Sequence, residues 1–266
     1  MTDYMLDKEF EDAESRLTIQ EGLQDAATID YLNKIGVIKG WHCLEIGAGR
    51  GTIAAWLCRE VGSKGKVTAI DIDARFLKTY SLDNLEIIED DIRRYNPEAE
   101  KYNLIHARDV LVHIENREIL LQKMIKWLRY GGWILLEEPD VITDAADSSS
   151  PVDMQELYQK VTESIYRFLQ GKGLDPYFGR KIFGILKSSG FALLHAEGRV
   201  HMFSGRTDQG KSPHMMAFEQ LKDALISEGF ATESQFLKFL ELANNPSFAW
   251  REGLTMSVWG QRNKRV

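Results

Sequence analysis

The segment Leu44-Glu45-Ile46-Gly47-Ala48-Gly49-Arg50-Gly51-Thr52 constrains this chain more than any other. Apolar, strand-forming residues lead into three glycines at alternate positions, and a helix-forming run over 52–60 follows at once. Glycines at such a turn permit positive φ and let another group approach the backbone with no Cβ in the way. The free amides at the start of the helix favour a negative group there. The spacing is G-x-G-x-G, not G-x-G-x-x-G, and it lacks the Gly-Lys-Ser/Thr ending that cradles a triphosphate. A tight strand–helix turn with no ligand is the plain alternative.

A second acid lies where a nucleoside site needs one. The β-branched run 66–70 ends at Asp71, 20 residues beyond Gly51, where a carboxylate can accept from both ribose hydroxyls. Asp73 suits the N-cap of a helical stretch over 74–80. Further short strands are read at 85–88, 103–107 and 133–137, with a long helical stretch to Arg129 and a break at Tyr130-Gly131-Gly132. Five strands alternating with helices up to Glu138 indicate βαβ units and a parallel sheet. The pattern then changes. A Ser-rich loop over 144–151 precedes helical segments near 152–170 and 176–189, a strand over 191–203, a Gly-rich turn, a helical region over 213–243 and a last strand over 255–259. At the start, residues 3–16 are highly charged, and an apolar helical stripe over 17–35 ends at Gly36.

Composition removes several classes. With 33 basic against 40 acidic residues, the net charge of −7 repels phosphate backbones, so no nucleic-acid partner is expected. The basic tail Arg262-Asn263-Lys264-Arg265 reads as a solvated terminus. Cys43 and Cys58 form no C-x-x-C and cannot anchor a zinc site alone; both are expected to be buried in a reducing, cytoplasmic setting. The acidic N-terminus lacks the apolar core of a signal peptide, and no apolar run is long enough to span a membrane.

LEIGAGRGTIA, VTAIDID, LEIIEDDI, YNLIHARDVLVHI and LRYGGWILLEE, in order over roughly 36–140, resemble successive motifs of class I S-adenosylmethionine-dependent methyltransferases of small-molecule type. FALLHAEGRVHMF and LTMSVWGQR resemble the antiparallel late strands of that fold. The resemblance implies an α/β, Rossmann-like, doubly wound seven-stranded sheet with an antiparallel last strand, plus helical substrate-cap insertions. It implies an N-terminal helical cover over 1–35, a cofactor-binding core over 36–140, a helical cap insertion over 141–190, and a C-terminal part of the core over 191–266 with an insertion at 204–250. It also implies S-adenosyl-L-methionine as cofactor, a small-molecule methyl acceptor and a monomer or homodimer.

The resemblance assigns roles as well. Glu45 organises the methionine end of the cofactor, and Gly47, Ala48, Gly49 and Gly51 line it. Asp71 holds the ribose, and Ile72 packs on the adenine. Asp91, with Asp90 as a neighbouring candidate, accepts from the adenine amino group, and the Ile92 amide meets a ring nitrogen. Ala107 and Arg108 lie beside the methionine moiety, with Val110 or His113 nearby. Arg16, Gln20 and Gln24 share a helix face that either closes over the cofactor or is simply solvated.

Methyl transfer from a sulfonium is one in-line displacement, and a base is needed only when the acceptor must lose a proton. The candidate bases are His106, His113, His195, His201 and His214. His113 is preferred, because it follows the ligand-side end of the fourth strand. Asp109 shares that location but suits a helix cap equally. Glu137, Glu138 and Asp140 could join Asp109 around a metal, but the spacing is not diagnostic and no metal is expected. The Asn/Asp-Pro-Pro-Tyr motif of amide and nucleobase methylation is missing after strand four. The aromatic- and Met-rich insertions suit an apolar or aromatic acceptor, or else bury one another. The competing readings are a non-catalytic S-adenosylmethionine-binding module and a dinucleotide-dependent oxidoreductase.

Overall fold

Predominantly apolar runs build the larger of two sheets, with a few buried polar residues set into them. Cys43, Leu44 and Ile46 are fully buried, as are Val67, Ala69, Leu104 and Ile105. Strands that are apolar on both faces must be covered on both faces, which is the condition of a parallel sheet. The computed structural model describes residues 10–205 and 212–263. The charged start over 1–9, residues 206–211 of the Gly-rich turn, and Lys264 and Arg265 of the basic tail lie outside the described residues. In chain order the strands are β1 His42–Ile46, β2 Lys66–Asp71, β3 Leu85–Glu89, β4 Tyr102–Arg108, β5 Leu128–Asp140, β6 Ala145–Ala146, β7 Phe191–Arg199, β8 Met202–Ser204, β9 Ala249–Arg251 and β10 Leu254–Arg262. The helices are α1 Phe10–Ile35, α2 Thr52–Val61, α3 Arg117–Trp127, α4 Val152–Gly171, α5 Phe178–Ser188, α6 Pro213–Gln220, α7 Lys222–Ser227 and α8 Glu233–Leu242.

The chain divides into two compact units. The large-sheet unit comprises Gln24–Glu138, Phe178–Glu197 and Met256–Val266. Its seven strands run in the order β3-β2-β1-β4-β5-β10-β7. The β3–β2, β2–β1, β1–β4 and β4–β5 pairs are parallel, and the last strand is antiparallel, as expected for a Rossmann-like methyltransferase sheet. Tyr31, Leu32 and Ile35 of α1 join Ile53, Leu57 and Val61 of α2 in a core with Cys43, Val67, Leu104 and Trp259. Both cysteines are free and buried, and burial pushes the Cys58 thiol up to about 11, so they pack as small apolar groups. Strand order reverses at β1, which pairs with β2 on one side and β4 on the other. Open α/β sheets bind ligands at the carboxyl ends of the strands flanking such a reversal. Here those ends are the glycine loop after β1 and the segment following Arg108 after β4.

The small-sheet unit comprises Met1–Leu23, Pro139–Tyr177 and Gly198–Thr255. It holds an antiparallel three-stranded sheet, β6-β9-β8, and helices α4 and α6 to α8. A capping box at Thr232 and Gln235 starts α8. Its aromatics stack on one another. Tyr158 meets Phe239 and Phe248 at 5.7 and 5.5 Å, and Phe248, Trp250 and Phe203 stack in sequence at 5.5 Å each. Tyr158, Phe239, Phe248 and Trp250 are fully buried, so this part of the aromatic set is core.

Four elements differ from the sequence reading. The helix expected over 74–80 is a single 3₁₀ turn, Leu77–Thr79. The break at Tyr130-Gly131-Gly132 is a distortion inside β5, where the register with β4 shifts and Gly131 takes φ +76°. The strand expected over 191–203 is two strands in different sheets, β7 and β8. The helical region over 213–243 is three helices. β7 ends the large sheet, and on it Leu193 takes φ +47° and is 60% exposed.

Candidate functional site

The three loop glycines all take left-handed φ: +67° at Gly47, +54° at Gly49 and +87° at Gly51. At two of them the protein's own packing also excludes a side chain. A Cβ on Gly47 would lie 2.1 Å from Val110 Cγ2, and one on Gly51 would lie 2.7 Å from Leu77 Cδ2. The Gly49 amide instead donates to Asp71 Oδ2 at 2.8 Å. Asp71 Oδ1 accepts from the Asp73 amide at 3.0 Å. Asp71 thus ties the loop after β1 to the end of β2. Burial pushes its carboxyl above the usual range, and these two amides oppose that rise. Ala48 and Ile72 are half-buried beside it. Asp73 takes the local cap role, accepting from the Arg75 amide at 3.2 Å and its Nε at 2.6 Å.

After β3, Asp91 accepts from the Arg93 amide at 2.9 Å and from its guanidinium, which holds the Asp91 carboxyl below the usual range. Asp90 accepts from the Asp91 amide and from Arg94. Ile92 is buried. Ala107 is fully buried between Ile46 of β1 and Leu136 of β5. The Arg108 guanidinium turns to α1, donating to Asp25 Oδ1 and Thr28 Oγ1 at 2.8 Å each.

The turn after β4 is shaped by Glu138. Its carboxylate accepts from the amides of Val110, Leu111 and Val112 at 3.3, 2.9 and 3.0 Å. Burial and the neighbouring Asp109 push this carboxyl up to about 8, against the pull of those amides. Asp109 itself takes φ +55°. The result is a 3₁₀ turn, Leu111–His113, which leaves His113 exposed at its end.

Beneath the loop lies a buried polar chain. His106 is fully buried on β4. Its Nδ1 lies 2.9 and 2.8 Å from the two Glu45 oxygens, and its Nε2 lies 3.3 Å from Glu137 Oε1. Thr28 Oγ1 donates to Glu137 Oε1 at 2.5 Å, and Ser257 Oγ donates to Oε2 at 2.7 Å. Burial alone would lower the imidazole, but the two carboxylates raise it to about 9. From the motifs alone, Glu45 belongs to the cofactor loop, His106 is one of five candidate histidines and Glu137 one of the acids weighed for a metal, and nothing local joins the three. The available signal was polar residues inside otherwise apolar strands, IHAR and LLEE, because a buried charge needs a partner.

The other candidates are more scattered. Gln24 Oε1 is buried without a hydrogen-bond partner. Arg16, in the small-sheet unit, is buried with its Nε in the same condition. His195 stacks on Trp259 at 5.3 Å. In the small-sheet unit, His214 Nδ1 lies 3.5 Å from Asp144 Oδ2. Among the described residues, no three His, Cys, Asp or Glu side chains group as metal ligands.

The sequence model of the methyltransferase domain family matches residues 15–196. The chain belongs to this methyltransferase family. Phosphoethanolamine N-methyltransferase 1 of Zea mays is 24% identical over 214 residues, 77% of this chain and 38% of that protein. The chain spans between 38% and 61% of the length of the first curated relatives it matches. Among solved structures, the BH2331 protein of Bacillus halodurans superposes with a TM-score of 0.56 at 17% identity, over 90% of this chain and 100% of that one. Phosphoethanolamine N-methyltransferase 2 of Haemonchus contortus, solved with phosphomonomethylethanolamine and S-adenosylhomocysteine, gives 0.51 at 15% identity, over 95% of this chain and 53% of that one. At these identities the superpositions show the methyltransferase fold.

Proposed function

We propose that this chain uses S-adenosyl-L-methionine to methylate a small molecule. The observation that carries the reading is the Asp71 clamp: an acid at the end of β2 bonded to the amide of the central loop glycine. A carboxylate has about four lone-pair sites, so each Asp71 oxygen keeps capacity for a ribose hydroxyl beyond its backbone amide. Glu45 offers negative charge to an ammonium, and the buried, unbonded Gln24 carbonyl offers a further acceptor. These groups fit a cofactor that carries a ribose and a cationic amino acid. When bound, it supplies a methyl group activated by a sulfonium.

The residue roles follow the sequence expectations. Gly47, Ala48, Gly49 and Gly51 give the cofactor a backbone surface, and Ile72 gives the adenine an apolar face. Asp91 and the Ile92 amide read the adenine edge, with Asp91 sharing its carboxylate between Arg93 and the base. Ala107 and Arg108 flank the methionine moiety. His113, exposed on its turn, accepts a proton where the acceptor is a hydroxyl or carbon acid. An amine acceptor needs only alignment. Two relatives are named for phosphoethanolamine, so small amines are the first acceptors to test. The cover role of 1–35, the acceptor-binding role of 141–190 and 204–250, and a cytoplasmic location consistent with two free cysteines belong to the same proposal. Among the described residues, no helix is long and apolar enough to cross a membrane.

Calorimetry with S-adenosylmethionine, S-adenosylhomocysteine and nicotinamide dinucleotides tests the cofactor, and turnover on amines, phenols and carbon acids tests the reaction. Binding of the sulfur nucleosides with turnover of at least one acceptor class is expected. Dinucleotide binding in their place would overturn the reading. The methyltransferase family match lends no support to the oxidoreductase or to a non-catalytic module.

A further inference from the structure

Two carboxylates clamp one imidazole beneath the glycine loop, and the chain of bonds does not stop there. Glu137 continues through Thr28 to Arg108, and Arg108 to Asp25. The charges along the path alternate: Glu45, His106, Glu137, Arg108, Asp25. Glu45 and Glu137 face the imidazole, and the groups bonded along the chain come from five elements. Glu45 comes from β1, Glu137 from β5, Thr28 and Asp25 from α1, Arg108 from β4 and Ser257 from β10.

The chemistry fixes the protonation state. A neutral imidazole carries one N–H and one bare lone pair. With carboxylates at both nitrogens, that lone pair would face an anion in a fully buried site. Glu137 Oε1 already accepts from Thr28 and Oε2 from Ser257, so the imidazole donates from both nitrogens and His106 is an imidazolium. Its Nδ1–H is shared between the two Glu45 oxygens, which fixes the plane of that carboxylate. Its Nε2–H reaches Glu137 Oε1, the same oxygen that accepts from Thr28. The orientation of Glu45 is thereby linked to the seating of α1 around Asp25 and Thr28.

We infer that His106 is a positioning residue that sets Glu45 for the cofactor and couples cofactor binding to the docking of α1 through Glu137, Thr28, Arg108 and Asp25. The inference rests on the proposed reading for the role of Glu45, but the coupling itself is a property of the protein alone. Coupling is reciprocal: whatever loosens α1 weakens cofactor binding, and bound cofactor tightens α1.

The decisive variant is Thr28→Val. It keeps the shape of the side chain, removes the bridge between Arg108 and Glu137, and leaves Glu45 and His106 untouched. Three readouts apply. Nitrogen NMR of histidine side chains in the ligand-free protein should show one imidazole with both nitrogens protonated at pH 7.5 to 8. A conventional neutral tautomer at His106, assigned with His106→Gln, overturns the inference. Hydrogen exchange should show protection of residues 24–35 rising on saturation with S-adenosylhomocysteine, and rising less in Thr28→Val. The S-adenosylhomocysteine dissociation constant of Thr28→Val should rise about 5- to 10-fold, at the lower end of typical coupling strengths, with the cofactor KM following and kcat nearly unchanged. Equal affinity and equal protection in wild type and Thr28→Val overturn the coupling. Failure of the wild type to bind the nucleoside overturns the functional reading instead, and the ligand-free NMR result still decides the charge on His106.

Discussion

Asp71 closes the glycine loop and, in the proposed reading, faces the ribose, so a substitution there removes two things at once. Asp71→Ala loses two charge-assisted bonds to a ligand, and cofactor affinity should fall by about 2–3 kcal/mol in calorimetry. Unchanged affinity with the fold intact refutes the assignment. Gly47 poses a different problem, because its constraint comes from Val110. Gly47→Ala forces a contact of 2.1 Å and a left-handed alanine, and should cost about 1–3 kcal/mol in urea unfolding. Adding Val110→Ala relieves the contact but not the φ penalty, so the double variant should show favourable coupling in a mutant cycle. Strict additivity of the two single changes argues against the Val110 contact. His113 tests the chemistry. For a hydroxyl or carbon-acid acceptor, His113→Ala should lower turnover roughly 10²- to 10⁴-fold with cofactor affinity nearly unchanged. For an amine the loss should be far smaller. Affinity falling in step with rate would make His113 part of the cofactor's binding surface.

At the scale of elements, the turn after β4 depends on one carboxylate that accepts three amides. Glu138→Gln keeps the shape but turns one acceptor oxygen into a donor, so at least one amide is stranded. Stability should fall by about 1–3 kcal/mol in chemical denaturation. An unchanged midpoint would show that the turn holds without Glu138. Elements of this kind are unevenly legible in sequence. Strands β1 to β3 are marked by apolar runs ending in Gly, Asp or Glu, β4 by a run ending at Arg108, and their order follows from βαβ logic. β5 is harder, since Tyr130-Gly131-Gly132 carries every sign of a stop, yet a left-handed Gly131 lets the strand bend and continue. β7 and β8 read as one strand because apolar residues run through Val200 and Phe203; what separates them is which distant strand each pairs with. The same limit governs the site. Glu45 and Asp71 stand in a local motif, whereas the meeting of Glu45, His106 and Glu137 needs β1, β4 and β5 to be neighbours in register.

The whole molecule should lose stability in alkali. His106 is raised to about 9 from the ordinary 6.5, so the folded chain holds that proton more tightly than the unfolded one. Its contribution is complete below pH 6.5 and is lost as pH climbs through about 9. Glu138 is raised to about 8 from 4.5, so its protonated form is favoured by folding, and that contribution is gone once pH passes about 8. The two act in the same direction. Melting temperature should therefore fall steadily between pH 6.5 and 9, and Glu138→Gln should flatten the part of the slope below 8. Asp73 and Asp91 are held low by Arg75 and Arg93, so their contributions are present above the ordinary carboxylate range and vanish in acid. A melting curve flat across the alkaline range would contradict both raised groups.

One residue at the rim of the large sheet has a bearing on handling the protein in bulk. Leu193 sits on the terminal strand with a backbone angle suited to glycine, at a cost of about 1–2 kcal/mol, and shows most of its side chain to water. A left-handed residue interrupts the regular row of amides and carbonyls that a terminal strand offers a neighbouring molecule. The local strain thus works against edge-to-edge pairing of one molecule's sheet with another's. Repairing it by redesign for a regular, straighter strand would give a molecule more comfortable alone and more prone to fibres in concentrated solution.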